Sequence, residues 1–293
     1  VGNAEPLREE IISFVLDRAS RNGDFVTRAE LSFPMPNGET MPLIDRSRGI
    51  RNPREMAATI SVVSSPDSPY ADREMEDGLF HYSYREGSIN GDNAKLRRAH
   101  ELNLPIILLR KIRDGVYVPH APVFVVADLM EKREFLLTLD ESVRFLASSN
   151  ASAPERRYAE RIMKQRLHQK DFRGRVIAAY QTKCAICRLS HGELLDAAHI
   201  TPDSDELGVP VVSNGLSLCK IHHAAYDKNM LGISPDYEVR IDHVLLEEVD
   251  GPMLRHSLQD MHGSKLILPS RRTDQPDRDR LAQRFSKFLN RAS

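Results

Sequence analysis

The chain has 293 residues, 41% of them hydrophobic and 28% charged, and its 41 basic and 42 acidic side chains leave a formal net charge of −1. That length suggests two domains, each able to bury its own core, and the balanced charge by itself argues neither for nor against a nucleic-acid partner. No run approaches 18 consecutive apolar residues, which excludes a transmembrane helix by sequence and predicts no membrane partner.

Apolar residues Leu7, Ile11, Phe14, Val15 and Ala19 recur at helical spacing over 6–21, and Asn22-Gly23 supplies a stop, which predicts a packing helix without chemistry. Strand-like pieces at 25–33 and 41–44 flank a turn cluster at 34–38. Arg46, Arg48, Arg51 and Arg54 follow, and they either touch phosphate or are simply exposed. Residues 59–64 read as a buried strand. Beyond Tyr70, Asp72 and the acidic Glu74, Glu76 and Asp77 come Gly78 and then the alternating aromatics Phe80, Tyr82 and Tyr84, a pattern that on a strand usually marks core. After a polar loop at 88–93 the sequence predicts a helix over 94–102, strands at 106–109, 116–118, 123–126 and 135–139, and a turn at Arg113-Asp114-Gly115.

A strand-rich order with one helix ahead of its middle strands resembles the SRA domain, a curved PUA-like barrel. The parallel runs through Tyr84-Arg85-Glu86-Gly87, the segment from Asn93 to Ala99, the strand after Pro105, Gly115 to Pro119 and Val123 to Val126, within 60–140. The resemblance implies a domain that flips out and reads a modified cytosine. Such a pocket needs aromatic faces around the extruded base and a carboxylate to accept from its N4 amino group. By the family's order of aromatic, acid, glycine and second aromatic, Tyr70 and Tyr84 would be the faces and Asp72 the acceptor, with Tyr82 standing in for Tyr84 and Glu74 for Asp72.

At 147–153 the composition turns small and polar, and the domain boundary is placed there, giving domains at 1–148 and 149–293. Residues 155–183 then hold nine basic side chains against three acidic ones. Such a stretch can grip a nucleic-acid backbone with salt-dependent affinity, or it can be a solvated helix face. One or two helices are expected up to Tyr180.

The most informative stretch runs from Cys184 to Asp227. Cys184 and Cys187 form a C-x-x-C knuckle, and Cys219 with His222 repeats the spacing, so four ligands could close a tetrahedral structural zinc site. The alternative is three thiols that merely pack. The zinc reading uses every cysteine and leaves none for a disulfide framework. With Val1 to Pro6 lacking the basic start and apolar stretch of a secretory signal, a reducing, cytoplasmic setting is expected.

A second set of residues is nested inside the first. Asp196, Ala198 and His199 lie on an apolar, strand-like stretch, and alternation puts 196 and 198 on one face and 199 on the other. His223 and Asp227, four apart, share one face of a short helix. Asp196, His223 and Asp227 could form an open divalent site, and a neutral His199 could take a proton from attacking water. The order strand, loop, strand, helix resembles an HNH nuclease, a ββα-metal fold in which His199, Asn214 and His223 are the H, N and H. The resemblance implies that His199 activates water, that Asn214 orients the loop carrying it, and that His223 binds a catalytic Mg²⁺, Mn²⁺ or similar ion. Many members place an acid or histidine immediately before the base, whereas Ala198 stands here and Asp196 is the substitute ligand.

Past Asp227, residues 231–233 and 237–241 look like paired strands and 265–268 like another. Leu281, Phe285 and Phe288 recur at helical spacing within 274–289. The expected architecture is α+β: an N-terminal SRA/PUA-like curved barrel with flanking helices and a C-terminal ββα-metal HNH domain with structural zinc. The whole resembles bacterial SRA-HNH restriction enzymes of the McrA-like group. It implies a type IV-like endonuclease that acts as a homodimer on double-stranded DNA carrying 5-methyl- or 5-hydroxymethylcytosine. Two rivals stand beside it: an HNH endonuclease whose front end reads unmodified sequence or RNA, and a zinc-stabilised DNA-binding module without cleavage.

Overall fold

The computed structural model describes residues 4–45, 49–65, 73–74, 79–85, 91–139 and 152–291. The fold is mixed α+β and divides into two compact units, one of Val1–Ala19 with Asp24–Asp171, the other of Ser20–Gly23 with Phe172–Ser293.

The first unit is built on a curled, half-barrel sheet. Its strands are β1 (Val26–Thr27), β4 (Ile50–Arg51), β5 (Ser61–Ser64), β6 (Arg73–Glu74), β7 (Phe80–Ser83), β8 (Ile106–Arg113), β9 (Val116–Leu129) and β10 (Glu134–Thr138). They run in the order β4-β5-β8-β9-β10-β7-β6, with β1 on β9. A small hairpin, β2 (Ser32–Pro34) with β3 (Thr40–Pro42), stands apart. Strands β5 and β8 are parallel. Parallel neighbours need a long crossover, here carrying the helix α2 (Asp92–Glu101).

The apolar run Ile106-Ile107-Leu108-Leu109 shows why this sheet is buried on both faces. Ile106 and Leu108 join one core with Phe80, Tyr82, Leu96 and Phe135. Ile107 and Leu109 join another with Ile11, Val15 and Leu43. A strand covered on one side alternates in sequence, whereas one covered on both does not. The second core is closed by helix α1 (Ala4–Asn22), which ends where Asn22-Gly23 predicted. There Gly23 takes φ +91° and Asp24 N donates to Ala19 O at 2.7 Å.

Two expected strands, 116–118 and 123–126, are one 14-residue strand, β9. Residues 116–123 pair with β8 and residues 124–129 with β10, across register irregularities that let the strand turn the sheet. The basic segment forms one helix, α3 (Ala153–Ala179), of 27 residues.

In the second unit β11 (Leu195–His199) and β12 (Gly215–Cys219) form an antiparallel pair followed by helix α4 (Lys220–Asp227). A hairpin of β13 (Leu231–Ile233) and β14 (Val239–Ile241) comes next, then α5 (His243–Glu247), α6 (Pro252–Ser257) and α7 (Arg278–Arg291). The strand expected at 265–268 is only a single bridge between Lys265 and Glu238. Helix α7 buries Leu281 and Phe288. Phe288 lies against Gly232, where a Cβ would come within 2.5 Å of its ring. Among the described residues, no helix is long and apolar enough to cross a membrane.

Candidate functional site

The β11-β12-α4 unit sets both groups of residues. Pairing puts Leu195 opposite Cys219 and His199 opposite Gly215, so Cys219 ends its strand and caps α4 while His199 lies at the far end of the ladder. The knuckle carrying Cys184 and Cys187 is fastened to the same strand, because Ala185 N donates to Ser217 O at 2.7 Å.

The ligand atoms of Cys184, Cys187, Cys219 and His222 all lie within 4.8 Å of one another. His222 Nδ1 is 3.1 Å from Cys219 Sγ and 3.5 Å from Cys184 Sγ. Its Nε2 donates to Ser257 O at 2.7 Å, which turns Nδ1 toward the sulfurs. Hydrogen bonds to the other two thiols, reinforced by burial, push Cys184 up, and bonds within the same group pull Cys219 down. Burial works against an imidazolium at His222, but the sulfurs of Cys187 and Cys219 outweigh it and hold the ring at about 9. Three soft sulfurs and one imidazole, fully gathered and short of positive charge, fit a tetrahedral Zn²⁺.

Asn214 is fully buried and spends its side chain on the loop beyond His199. Its Oδ1 accepts from Thr201 N at 2.8 Å, and its Nδ2 donates to Thr201 O and Val209 O, each at 3.1 Å. Its backbone carbonyl accepts from Ile200 N at 2.9 Å.

His222 and His223 are neighbours on α4 with opposite surroundings. His222 is fully buried, whereas His223 is half-buried between two carboxylates. Its Nδ1 is 3.4 Å from Asp196 Oδ2 and its Nε2 3.3 Å from Asp227 Oδ2. The hydrogen bond to Asp196 raises the His223 pKa, against burial. Burial would raise Asp196 in turn, but His223 and Lys220 outweigh it and hold the carboxyl at about 2. Lys220 Nζ reaches both Asp196 oxygens at 2.7 Å. His199 is partly buried, and burial is the main reason its pKa falls below the ordinary value, with His223 adding to the fall and Asp203 and Asp227 opposing it.

Of the residues expected to form a base pocket, Tyr82 and Tyr84 lie within the described residues and are buried. Tyr70 and Asp72 lie outside the described residues, and nothing is described of the Glu74 side chain. Tyr82 is fully buried and donates to Gly49 O at 3.0 Å. Tyr84, 4% exposed, stacks on Phe135 with centroids 4.6 Å apart. Its hydroxyl donates to Asp128, which also takes Arg97 Nε at 2.5 Å.

Several contributors to the site carry no signal in the linear pattern. Phe172 stacks on His199, Arg173 Nη2 donates to Leu195 O at 2.7 Å, and Lys220 neutralises Asp196. Arg173 belongs to the basic stretch, as does Lys170, whose Nζ donates to Pro119 O at 2.7 Å. Part of that positive charge therefore anchors the chain to itself.

The arrangement of a strand pair, a helix, a buried asparagine and two histidines defines a class. Residues 184–234 match the family model described as HNH endonuclease, and the chain carries an HNH endonuclease segment and is a nuclease. Two solved structures are similar over long spans. One is a modification-dependent TagI restriction endonuclease, 19% identical, covering 83% of this chain and 86% of that one at a TM-score of 0.31. The other is the type IV phosphorothioation-dependent restriction endonuclease ScoMcrA, 16% identical, covering 66% of this chain and 55% of that one at a TM-score of 0.24. No curated protein matches the chain by sequence.

Proposed function

We propose that the chain is a modification-dependent, type IV-like DNA endonuclease whose second unit hydrolyses phosphodiester bonds and whose first unit reads a modified cytosine. The observation that carries the nuclease half is a half-buried His199, kept neutral by burial, on the same ββα unit as the group Asp196, His223 and Asp227. His199 takes a proton from water as the water oxygen bonds to phosphorus and the bond to the leaving 3′ oxygen breaks. Asn214 keeps the loop behind His199 in place.

Hard oxygen donors beside one imidazole suit a divalent ion such as Mg²⁺ or Mn²⁺. Because the His223 nitrogens face different carboxylates, one carboxylate would share the ion with His223 while the other holds the ring. Asp196, the less exposed of the two, is the reading's co-ligand, and Asp227 orients the ring. A bound ion would supply positive charge against the phosphorane and the departing oxygen. Zn²⁺ on Cys184, Cys187, Cys219 and His222 would be structural.

The modified-base half is supported by the curled sheet with α2 before its middle strands, the order expected of an SRA-like domain over 1–148, with the HNH domain over 149–293. Since Tyr82 and Tyr84 are packed into the core, the reading puts most weight on Tyr70 and Asp72. One HNH site cuts one strand, so a double-strand break calls for a homodimer.

The test compares binding and cleavage of one duplex sequence in unmodified, 5-methylcytosine and 5-hydroxymethylcytosine forms, with wild type and His199→Ala. The reading expects tighter binding of a modified duplex, and nicking lost in His199→Ala with binding retained. Equal affinities would leave a nuclease that reads ordinary sequence or RNA. Activity untouched by His199→Ala would leave a DNA-binding module at this site.

A further inference from the structure

The His199 imidazole is held in an unusual way. A basic histidine is commonly oriented by a hydrogen bond from its second ring nitrogen to a carboxylate or a carbonyl. Here Nε2 is buried with no hydrogen-bond partner among the described residues. What the ring has is Phe172, whose plane lies 4.0 Å away, centroid to centroid, and only 16° off parallel. Phe172 is itself 3% exposed, so its orientation is set by packing.

Two further features serve this contact. Gly215 stands opposite His199 in the ladder, and a Cβ there would come within 2.4 Å of Val176 Cγ2 and 2.9 Å of Phe172 Cζ. Only a residue without a side chain lets α3 lie this close to the strand pair. Next to Phe172, Arg173 Nη2 donates to Leu195 O at 2.7 Å and to Gly192 O at 3.0 Å. Two consecutive residues of α3 therefore engage the two ends of β11, Arg173 its first residue and Phe172 its last.

We propose that Phe172 is a positioning residue for hydrolysis: its ring fixes the plane of the His199 imidazole, the task a hydrogen-bonded partner performs elsewhere, and Gly215 makes room for it. This rests on the reading of His199 as the base. The group that takes the proton must meet water within a narrow range of angles, and a small misplacement costs on the order of 100-fold in rate. An aliphatic side chain at 172 fills the space without a flat face, so the imidazole turns about its own bond.

The experiment is single-turnover cleavage by the full chain carrying Phe172→Leu, and Phe172→Met as a second ringless variant, each with and without His199→Ala. Melting curves and zinc content establish folding. The expected result is a fall in kcat on the order of 100-fold with KM unchanged, and no further fall when either substitution is added to His199→Ala. Unchanged kcat in a folded ringless variant overturns the proposal. So does an equal loss with and without His199, since a merely structural residue acts independently of the base. If His199→Ala alone cleaves normally, the base reading fails first, and that outcome is visible before the double variants are compared.

Discussion

An imidazole accepts a proton only while it is neutral, and the surroundings of His199 favour that state. Its pKa is depressed, chiefly by burial, so the neutral form persists as pH falls through the ordinary 6.5 and is lost only lower. The acid limb of kcat against pH should therefore have its midpoint below 6.5, and a midpoint at or above 7 would remove His199 from the role. Asn214 acts differently, because it touches only backbone. Asn214→Ala would strand the buried Thr201 N and Thr201 O, at about 1–3 kcal/mol for each group left unpaired. Denaturant unfolding should show a loss of that order, together with slower nicking. A stable variant with normal nicking would mean the loop behind His199 does not depend on it. The linear pattern singled out His199, Asn214 and His223, but it gave no hint of Phe172, which sits in a run of arginines and lysines.

At the scale of elements, the knuckle, β12 and α4 bring four ligand side chains together beside buried apolar residues such as Leu216, Leu218 and Tyr226. Removing one ligand should undo the unit: Cys184→Ser, or prolonged chelation, is expected to lower the second unit's stability by several kcal/mol, since structural zinc contributes folding free energy directly. Metal analysis should find one tightly held zinc per chain, and its absence from purified, folded protein would defeat the four-ligand assignment. The same elements show what spacing can and cannot reveal. C-x-x-C, C-x-x-H and the His199 strand were readable because ligands impose fixed offsets. The merging of 116–118 and 123–126 into β9 was not, because Pro119 and Pro122 look like strand breakers and only pairing with two different neighbours shows that the strand continues.

For the whole molecule, cutting both strands is the demanding task. If each chain provides one HNH site, plasmid linearisation should rise more steeply than in proportion to protein concentration while nicking rises in proportion; linearisation by a strictly monomeric protein would argue against the dimer. Affinity should also fall as salt rises, through exposed groups such as Arg161, whereas Lys170 and Arg173 are occupied within the chain. From sequence alone came the class of chemistry, the gathering of Cys184, Cys187, Cys219 and His222, and the α+β architecture, because clustered ligands and buried strands constrain residue type at each position. Tertiary structure alone decided that His223 stands between two carboxylates and that an aromatic ring backs His199. Those facts depend on which distant residues meet, and spacing along a chain carries no record of that.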